Sequence, residues 1–388
     1  MARRYNRAML AGQGVRAALV HDWLNQDGGA EAVLEVLHGL LPAAPVYTTI
    51  ADSARVPAIA RWDVRVSWMD RLPGIHGRHQ PYLALYPLAW QSTRVAGCDL
   101  VVSNKSGFCH GVRVGKACHV CYCLTPTRFV WDAQAYLRHE IVPPGGRLAL
   151  CALLPWLRRW DRRAAERVDS FVSISGAVRE RVLRVYGRES TVIHPPVDMP
   201  PAPAPAPAGD YHVVLARLVP YKQIDLAVEA FGALRRRLVV IGDGRDRERL
   251  ERAAGPNVTF VGRVERPEVL RLLAGCRALV WPGIEDFGLA PVEAMAAGRP
   301  VIARRAGGVL DTVVEGRTGV FFSEPTPESL ADAVRRADAV AWEPRLIRSH
   351  AERFSRARFE AAFDAFLQSA LRERAVAGAA RPAAAGGT

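Results

Sequence analysis

Four side chains in the second half of the chain have types and spacing that could handle a phosphorylated sugar. Arg217 and Lys222 lie in "ARLVPYKQID", between an apolar run ending at Leu215 and a helical pattern that opens at Ile224. A guanidinium fork beside a compact ammonium suits a diphosphate. Further on, "GIEDFGLAPVEAMAAGRP" places Glu285 and Glu293 eight positions apart, with Phe287, Gly288 and Leu289 between them. Backbone amides near Gly288–Ala290, at a helix start, form a ready anion site. A glutamate there would repel a phosphate, but it fits the hydroxyls of a polyol. One acid serving a transferred sugar and the other a ribose would together describe a nucleotide-sugar. Each group also has a simpler reading. The cations could be solvated loop residues. With Pro291 suited to a first helical turn, Glu293 could merely complement the helix dipole. Glu285, in the turn beside Asp286, has no capping role to explain it.

Apolar runs alternating with helical patterns set these groups in place. In the first half the expected strands are 17–20, 46–50, 64–68, 100–103, 119–123, 170–174 and 191–193; in the second they are 212–215, 238–241, 258–261, 278–281, 301–303 and 319–322. Helices fall between them, among them 30–41, 224–234 and 246–254. This alternation indicates βαβ units and mostly parallel sheets. Ligands of such sheets bind at the carboxyl ends of the strands. "VVIGDGRDRERL", with Gly242 and Gly244, lacks the third glycine of a dinucleotide fingerprint and reads as a tight packing turn. The proline-alanine stretch "PPVDMPPAPAPAPAGD", 195–210, excludes helix and central strand and divides the chain into two halves.

Composition narrows the class further. The 388 residues, 49% of them hydrophobic and 23% charged, suffice for two globular domains. No apolar run approaches a spanning helix or a secretory signal, so the expected compartment is the cytoplasm. The seven cysteines, an odd number, fit reduced thiols. "CHVCYC", 118–123, reads as a buried strand, because the paired spacing of a zinc site does not recur. The net charge of +13 admits anionic partners, yet only three of the 52 basic residues are lysines and no nucleic-acid motif is present. Nucleic acid is therefore not an expected partner. "LLPWLRRWDRRAAERVD", 153–169, sets Trp156, Leu157 and Trp160 among arginines 158, 159, 162 and 163. It could rest on an anionic membrane or, more simply, lay its apolar face on the sheet.

Three second-half segments, "ARLVPYKQID", "FVGRVERPEVLRLLAGCRALVWPGIEDFGLAPVEAMAAGRPVIA" and "GGVLDTVVEGRTGVFF", closely resemble family 4 glycosyltransferases of the GT-B fold. In the first half "HDWLNQDGGAEAVLEVL", "HVCYCLTPTRFVWD" and "RRWDRRAAERVDSFVSIS" resemble the bacterial polysaccharide and O-antigen mannosyltransferases of that family. The resemblance implies two Rossmann-like domains facing across a cleft, with a C-terminal helix crossing back to the first. It implies a retaining, metal-independent hexosyltransferase without a cofactor. Its donor would be a nucleotide-sugar, most simply GDP-mannose, and its acceptor a glycan or lipid-linked saccharide. By the same resemblance Arg217 and Lys222 hold the diphosphate, and Glu285 meets the transferred sugar. Phe287, Gly288 and Leu289 lend backbone contacts, Glu293 takes the ribose, and the Val264 backbone meets the base. Gly28 and Gly29 line the donor phosphate. Leu124 departs from the pattern, since many relatives have a histidine there that contacts the sugar. Either the sugar is held differently, with Thr125 or a neighbour compensating, or donor preference has shifted.

The implied organisation is a basic extension at 1–14, an acceptor domain at 15–198 and a linker at 199–210. A donor domain at 211–355, a helix at 356–371 and a disordered tail at 372–388 complete it. The competing functions are a transferase using a UDP- or ADP-sugar, a same-fold epimerase and a non-catalytic sugar-binding protein. A nicotinamide oxidoreductase would need the full glycine fingerprint, which neither half supplies.

Overall fold

The computed structural model describes residues 14–26, 28–133, 144–201 and 209–379. They fold into two compact units, each built on a parallel sheet. The first takes the chain up to His194 together with the segment from Phe359 onward, and the second is Pro195–Arg358.

The first sheet has seven strands in the order β3-β2-β1-β4-β5-β6-β7. They are β1 Ala17–His21, β2 Val46–Thr48, β3 Val64–Val66, β4 Leu100–Lys105, β5 Cys118–Cys123, β6 Ser170–Ser173 and β7 Ser190–Val192. The second has six strands, ordered β10-β9-β8-β11-β12-β13. They are β8 Tyr211–Leu215, β9 Arg237–Ile241, β10 Val258–Gly262, β11 Leu279–Trp281, β12 Val301–Arg304 and β13 Gly319–Phe322. Every expected strand is present, with ends displaced by a residue or two. The buried central strands read as continuous apolar runs because helices cover both faces of such sheets. β5, the cysteine-rich strand, is buried along its whole length. In each unit the strand order reverses beside the first strand, between β1 and β4 and between β8 and β11. A crevice opens at such a switch point, outside the carboxyl ends of those two strands.

Two boundaries differ from expectation. The first unit stops before Pro195, because the next residues are bonded into the second. The Val197 amide donates to Phe354 O at 3.0 Å, and the Arg356 amide donates to Val197 O at 3.2 Å. Of the linker, 202–208 lies outside the described residues, as do 1–13 of the basic extension. The C-terminal helix runs Arg356–Ala379, so the expected tail from 372 is helical up to that point. "RERAVAGA" is mostly Ala, Arg and Glu, which propagate a helix at little cost. The rest of that tail, 380–388, lies outside the described residues.

From Phe359 onward this helix packs on the first unit. The Phe359 and Phe363 rings stack 5.3 Å apart, and both meet the buried Tyr122 edge-on at 5.7 and 5.5 Å. Tyr122 anchors itself by donating to Ile193 O at 3.0 Å. The helix Pro144–Glu166 also turns its apolar side inward. Leu157 is wholly buried, and Trp160 packs on Phe108 and over Gly111, where any side chain would collide with the indole. Leu157 and Trp160 are therefore unavailable to a membrane. Leu148, Leu153 and Trp156 stay exposed.

Replacing Phe363, fully buried against Tyr122, with alanine should cost about 3–5 kcal/mol of the first unit's stability. Chemical denaturation followed through domain-specific fluorescence measures it. A loss under about 1 kcal/mol would mean that the helix is not part of that core.

Candidate functional site

The second unit gathers charge at its switch point. β8 ends at Leu215, and the chain then passes Arg217, turns tightly at Pro220–Lys222 and enters the helix Ile224–Leu234 through Gln223. Gln223 holds a left-handed backbone, φ 53°, rare for a residue with a side chain. Its amide oxygen accepts from Arg304 Nη1 at 2.8 Å, at the end of β12. Such local strain, of order 1–3 kcal/mol, persists only where surrounding structure imposes it. β11 ends at Trp281, and the loop carrying Glu285 follows.

The Lys222 ammonium forms an ion pair with Glu285 Oε1, and both side chains are more than four-fifths buried. The same ammonium lies 5.1 Å above the Trp281 ring and 5.5 Å from that of Tyr221. A cation over an indole face gains about 0.5–2 kcal/mol, so Trp281 helps to aim Lys222. The Trp281 indole N–H is buried without an acceptor among the described residues. Arg217 is exposed and makes one long hydrogen bond, 3.4 Å, to Tyr221 Oη. Nothing among the described residues holds it tightly, which leaves its fork available to an anion.

Glycines let these loops close on one another. A side chain on Gly283 would meet Lys222 O at 2.7 Å. On Gly307 it would meet Glu285 O at 2.4 Å, and on Gly308 it would meet Phe287 Cα at 2.3 Å. The Gly308 amide donates to Glu285 O at 2.8 Å, locking the acidic turn to the loop after β12. Gly242 and Gly244 press in the same way on the carbonyls of Ala216 and Leu218, as a packing turn should. Phe287 is buried against Phe354, ring centroids 5.9 Å apart, and so contributes only its backbone to the surface.

Gly288, at φ 89°, caps the helix Leu289–Ala296. That start places Pro291 third and Glu293 fifth, so Glu293 is not in the first turn and the dipole-capping explanation fails. Glu293 is instead paired with Arg266, 2.7 Å from its Nη1. The Leu289 and Ala290 amides belong to the first turn, which has no intrahelical acceptors. Val264 sits half-buried just beyond β10, at the same edge of the sheet.

In the first unit Gly28 and Gly29 are exposed at the start of the helix Gly29–Leu40, beyond β1. Glu31, in its first turn, is buried and lies 3.4 Å from His21 Nε2. Asn104 bonds to Ala30 O at 2.8 Å. Asp22 accepts four backbone amides, from Ser106 to Cys109, at 2.6–2.8 Å. Leu124 is half-buried and held by its amide to Lys105 O at 2.8 Å. Thr125 turns its polar groups into the unit. Its hydroxyl is buried and accepts from Arg181 Nη1 at 2.7 Å, and its carbonyl accepts from Lys105 Nζ at 3.2 Å.

Lys105 is itself wholly buried, beside Asp161. The Asp161 carboxylate accepts from Trp131 Nε1 at 2.6 Å and Tyr186 Oη at 2.7 Å. Burial pushes the Asp161 pKa upward, and Lys105 with these donors opposes it. Among the described residues no cluster of three His, Cys, Asp or Glu side chains could hold a metal. Sequence reasoning passed over Trp281, Arg266, Arg304, Glu31 and Lys105. Only Glu31, two residues past the glycine pair, carried a local signal.

Comparison with known proteins places this geometry in context. Residues 204–339 match the family model described as Glycosyl transferases group 1. A GDP-mannose-dependent alpha-(1-6)-phosphatidylinositol monomannoside mannosyltransferase of Mycobacterium tuberculosis is 30% identical over 215 residues, 47% of this chain and 56% of that protein. A glycogen synthase of Pseudomonas aeruginosa is 38% identical over 149 residues, 36% of this chain and 29% of that enzyme. The matches thus span from under a third to little more than half of these relatives' lengths. Among solved structures, the Anabaena protein HepE in complex with UDP superposes with a TM-score of 0.69 at 19% identity, covering 91% of this chain and all of that one. A sucrose-phosphate synthase from Thermosynechococcus elongatus gives 0.64 at 19%, covering 94% of this chain and all of that one. The fold is GT-B: two Rossmann-like α/β units with parallel sheets, as glycosyltransferases have them.

Gly308→Ala would drive a methyl into the Asp286–Phe287 backbone and should displace the acidic turn. We expect a stability loss of about 1–3 kcal/mol and a larger fractional loss of affinity for the nucleotide-sugar proposed below. Urea unfolding and calorimetric titration of the same variant separate the two. Unchanged affinity in a folded variant would detach that turn from the ligand.

Proposed function

We propose that the protein is a retaining family 4 glycosyltransferase. It would move a hexose, in the first place mannose from GDP-mannose, to a glycan or lipid-linked saccharide of polysaccharide or O-antigen type. The observation that carries this reading is the Lys222–Glu285 pair beside Arg217 at the switch point of the second sheet, inside the segment matched by the group 1 model. Mannose draws support from the mycobacterial relative, whose name specifies GDP-mannose. The runner-up, a UDP- or ADP-sugar donor, draws it from the glycogen synthase relative and from HepE, solved with UDP-glucose.

In this reading Arg217, Lys222 and the first-turn amides of Leu289 and Ala290 hold the diphosphate, with Gly28 and Gly29 adding backbone donors. Glu285 binds hydroxyls of the transferred sugar, Glu293 those of the ribose, and the Val264 backbone the base. Leu124 supplies only apolar contact where a histidine would hydrogen-bond. The acceptor hydroxyl attacks the anomeric carbon from the face that the diphosphate leaves. The sugar–phosphate bond breaks with its electron pair passing to the phosphate oxygen, and that oxygen takes the acceptor's proton. Fixed cations and amides stabilise the developing charge without solvent reorganisation, so no metal or cofactor is required.

The work would take place in the cytoplasm. No helix among the described residues is long and apolar enough to cross a membrane. The helix Pro144–Glu166 is the proposed peripheral contact, with Leu148, Leu153 and Trp156 exposed on the same helix as Arg159 and Arg163.

A donor screen across GDP-, UDP- and ADP-sugars, read by transfer and by calorimetry, tests the central claim. GDP-mannose should bind best and transfer should survive EDTA. Binding to none of them would end the transferase reading. Lys222→Ala should raise KM and lower kcat. Glu285→Gln should leave KM nearly unchanged and cut turnover by about 10- to 100-fold, the worth of one hydrogen bond to a charged group. Wild-type kinetics in either variant would remove that residue from the site. For the membrane contact, co-sedimentation with anionic vesicles should fall several-fold in an Arg159→Ala, Arg163→Ala variant. Undiminished binding would sink that part alone.

A further inference from the structure

A cavity of about 540 Å³ opens in the first unit, lined by Gln91, Val112–Gly115, Arg167, Asp169 and Arg374. Its segments immediately precede β5 and β6, which are parallel, so it lies at the amino edge of the sheet. Lys105, Leu124 and Thr125 are at the opposite, carboxyl edge. The six residues of β5 put roughly 20 Å between the two.

Three guanidiniums and a single carboxylate line this cavity, a surplus of two positive charges. Two of the arginines are pinned. Arg167 donates to Arg163 O at 3.3 Å and Gly111 O at 3.2 Å, while Arg374 pairs with Asp169 and reaches Lys116 O at 3.4 Å. The Arg113 guanidinium has no hydrogen-bond or ion-pair partner among the described residues, although its backbone is fixed to Thr93 and Val95. The Arg167 pKa is lowered, first by burial and then by the neighbouring Arg113 charge, with the Glu166 carboxylate opposing. Like charges held together at a half-enclosed site are unfavourable unless an anion joins them. Guanidinium forks match the oxygens of a phosphate, and the exposed Arg113 fork has its donors available for one. The remaining volume, walled by Val112, Val114 and the Gln91 amide, leaves room for a small organic body beyond the phosphate.

We propose that this cavity is a second anion site that takes a phosphate monoester, with Arg113, Arg167 and Arg374 as its ligands. The C-terminal helix supplies Arg374, and the helix Pro144–Glu166 leads directly into Arg167. A bound dianion therefore ties the C-terminal helix more firmly to the first unit. The site stands whatever sugar or nucleotide the donor cluster takes.

Calorimetry of the full chain with inorganic phosphate and with ribose 5-phosphate, at constant ionic strength, tests it. Saturable binding is expected. Arg113→Ala, which breaks no contact within the fold, should weaken it at least tenfold, and Arg113→Lys should weaken it less. Lys222→Ala should leave this binding unchanged. Protection of the amides around Arg374 from hydrogen exchange should rise with phosphate in the wild type but not in Arg113→Ala. Binding that survives Arg113→Ala would overturn the proposal, and so would binding that disappears instead in Lys222→Ala, because the phosphate would then occupy the donor cluster. Vesicles of phosphatidic acid and of phosphatidylcholine identify the source. Arg113-dependent binding to the first alone assigns a lipid headgroup, and soluble binding alone assigns a free monoester. Failure of both phosphate sources to bind would overturn the site.

Discussion

Backbone pressed on backbone at the carboxyl edge of the second sheet is the constraint on which the site depends. The loops after β8, β9, β11 and β12 approach so closely that Gly242, Gly244, Gly283, Gly307 and Gly308 each occupy space a Cβ would need. The result is a stack of loops with little freedom of its own. Lys222 and Glu285 meet because Gly283 lies under the Lys222 carbonyl and the Gly308 amide holds the Glu285 carbonyl. Binding geometry held by main-chain contacts is insensitive to rotamer changes, and it loses little entropy when a ligand arrives.

Electrostatics then set what such a ligand must offer. Each acid of the pair already has a cation, Lys222 for Glu285 and Arg266 for Glu293. Arg266 is about half exposed, so its pair is worth at most about 1 kcal/mol. A ribose hydroxyl donating to Glu293 can replace it cheaply. The Lys222–Glu285 pair is more enclosed, and breaking it outright would strand two charges. A diphosphate that shares Lys222 while a sugar hydroxyl donates to Glu285 avoids that loss. The arrangement therefore favours a ligand carrying phosphate and polyol together over either one alone.

Much of this was legible in the sequence. Strands buried on both faces announce themselves as apolar runs, which is why β8 to β13 fell within a residue or two of expectation. Arg217, Lys222, Glu285 and Gly288 were visible because they interrupt such runs at strand ends. Only the dipole explanation of Glu293 fails, and for a local reason: the helix begins at Leu289, after Gly288 at φ 89°, so Glu293 falls fifth and outside the first turn. Lys105 was invisible. A lysine inside a strand gives no sign of burial, and what compensates it, Asp161 and its donors Trp131 and Tyr186, is distant in sequence.

That hidden network bears on the departure at Leu124. The segment 124–127 is fastened from behind by the Leu124 amide on Lys105, by Lys105 on Thr125 and Thr127, and by Arg181 on the Thr125 hydroxyl. To turn outward and replace a histidine, Thr125 would have to give up its 2.7 Å bond from Arg181. Leu124 is thus presented on a stiff segment that offers apolar surface. In the second unit, under the proposed role, Glu285, held in place by Lys222 and Gly308, is the group positioned to give polar recognition of a sugar.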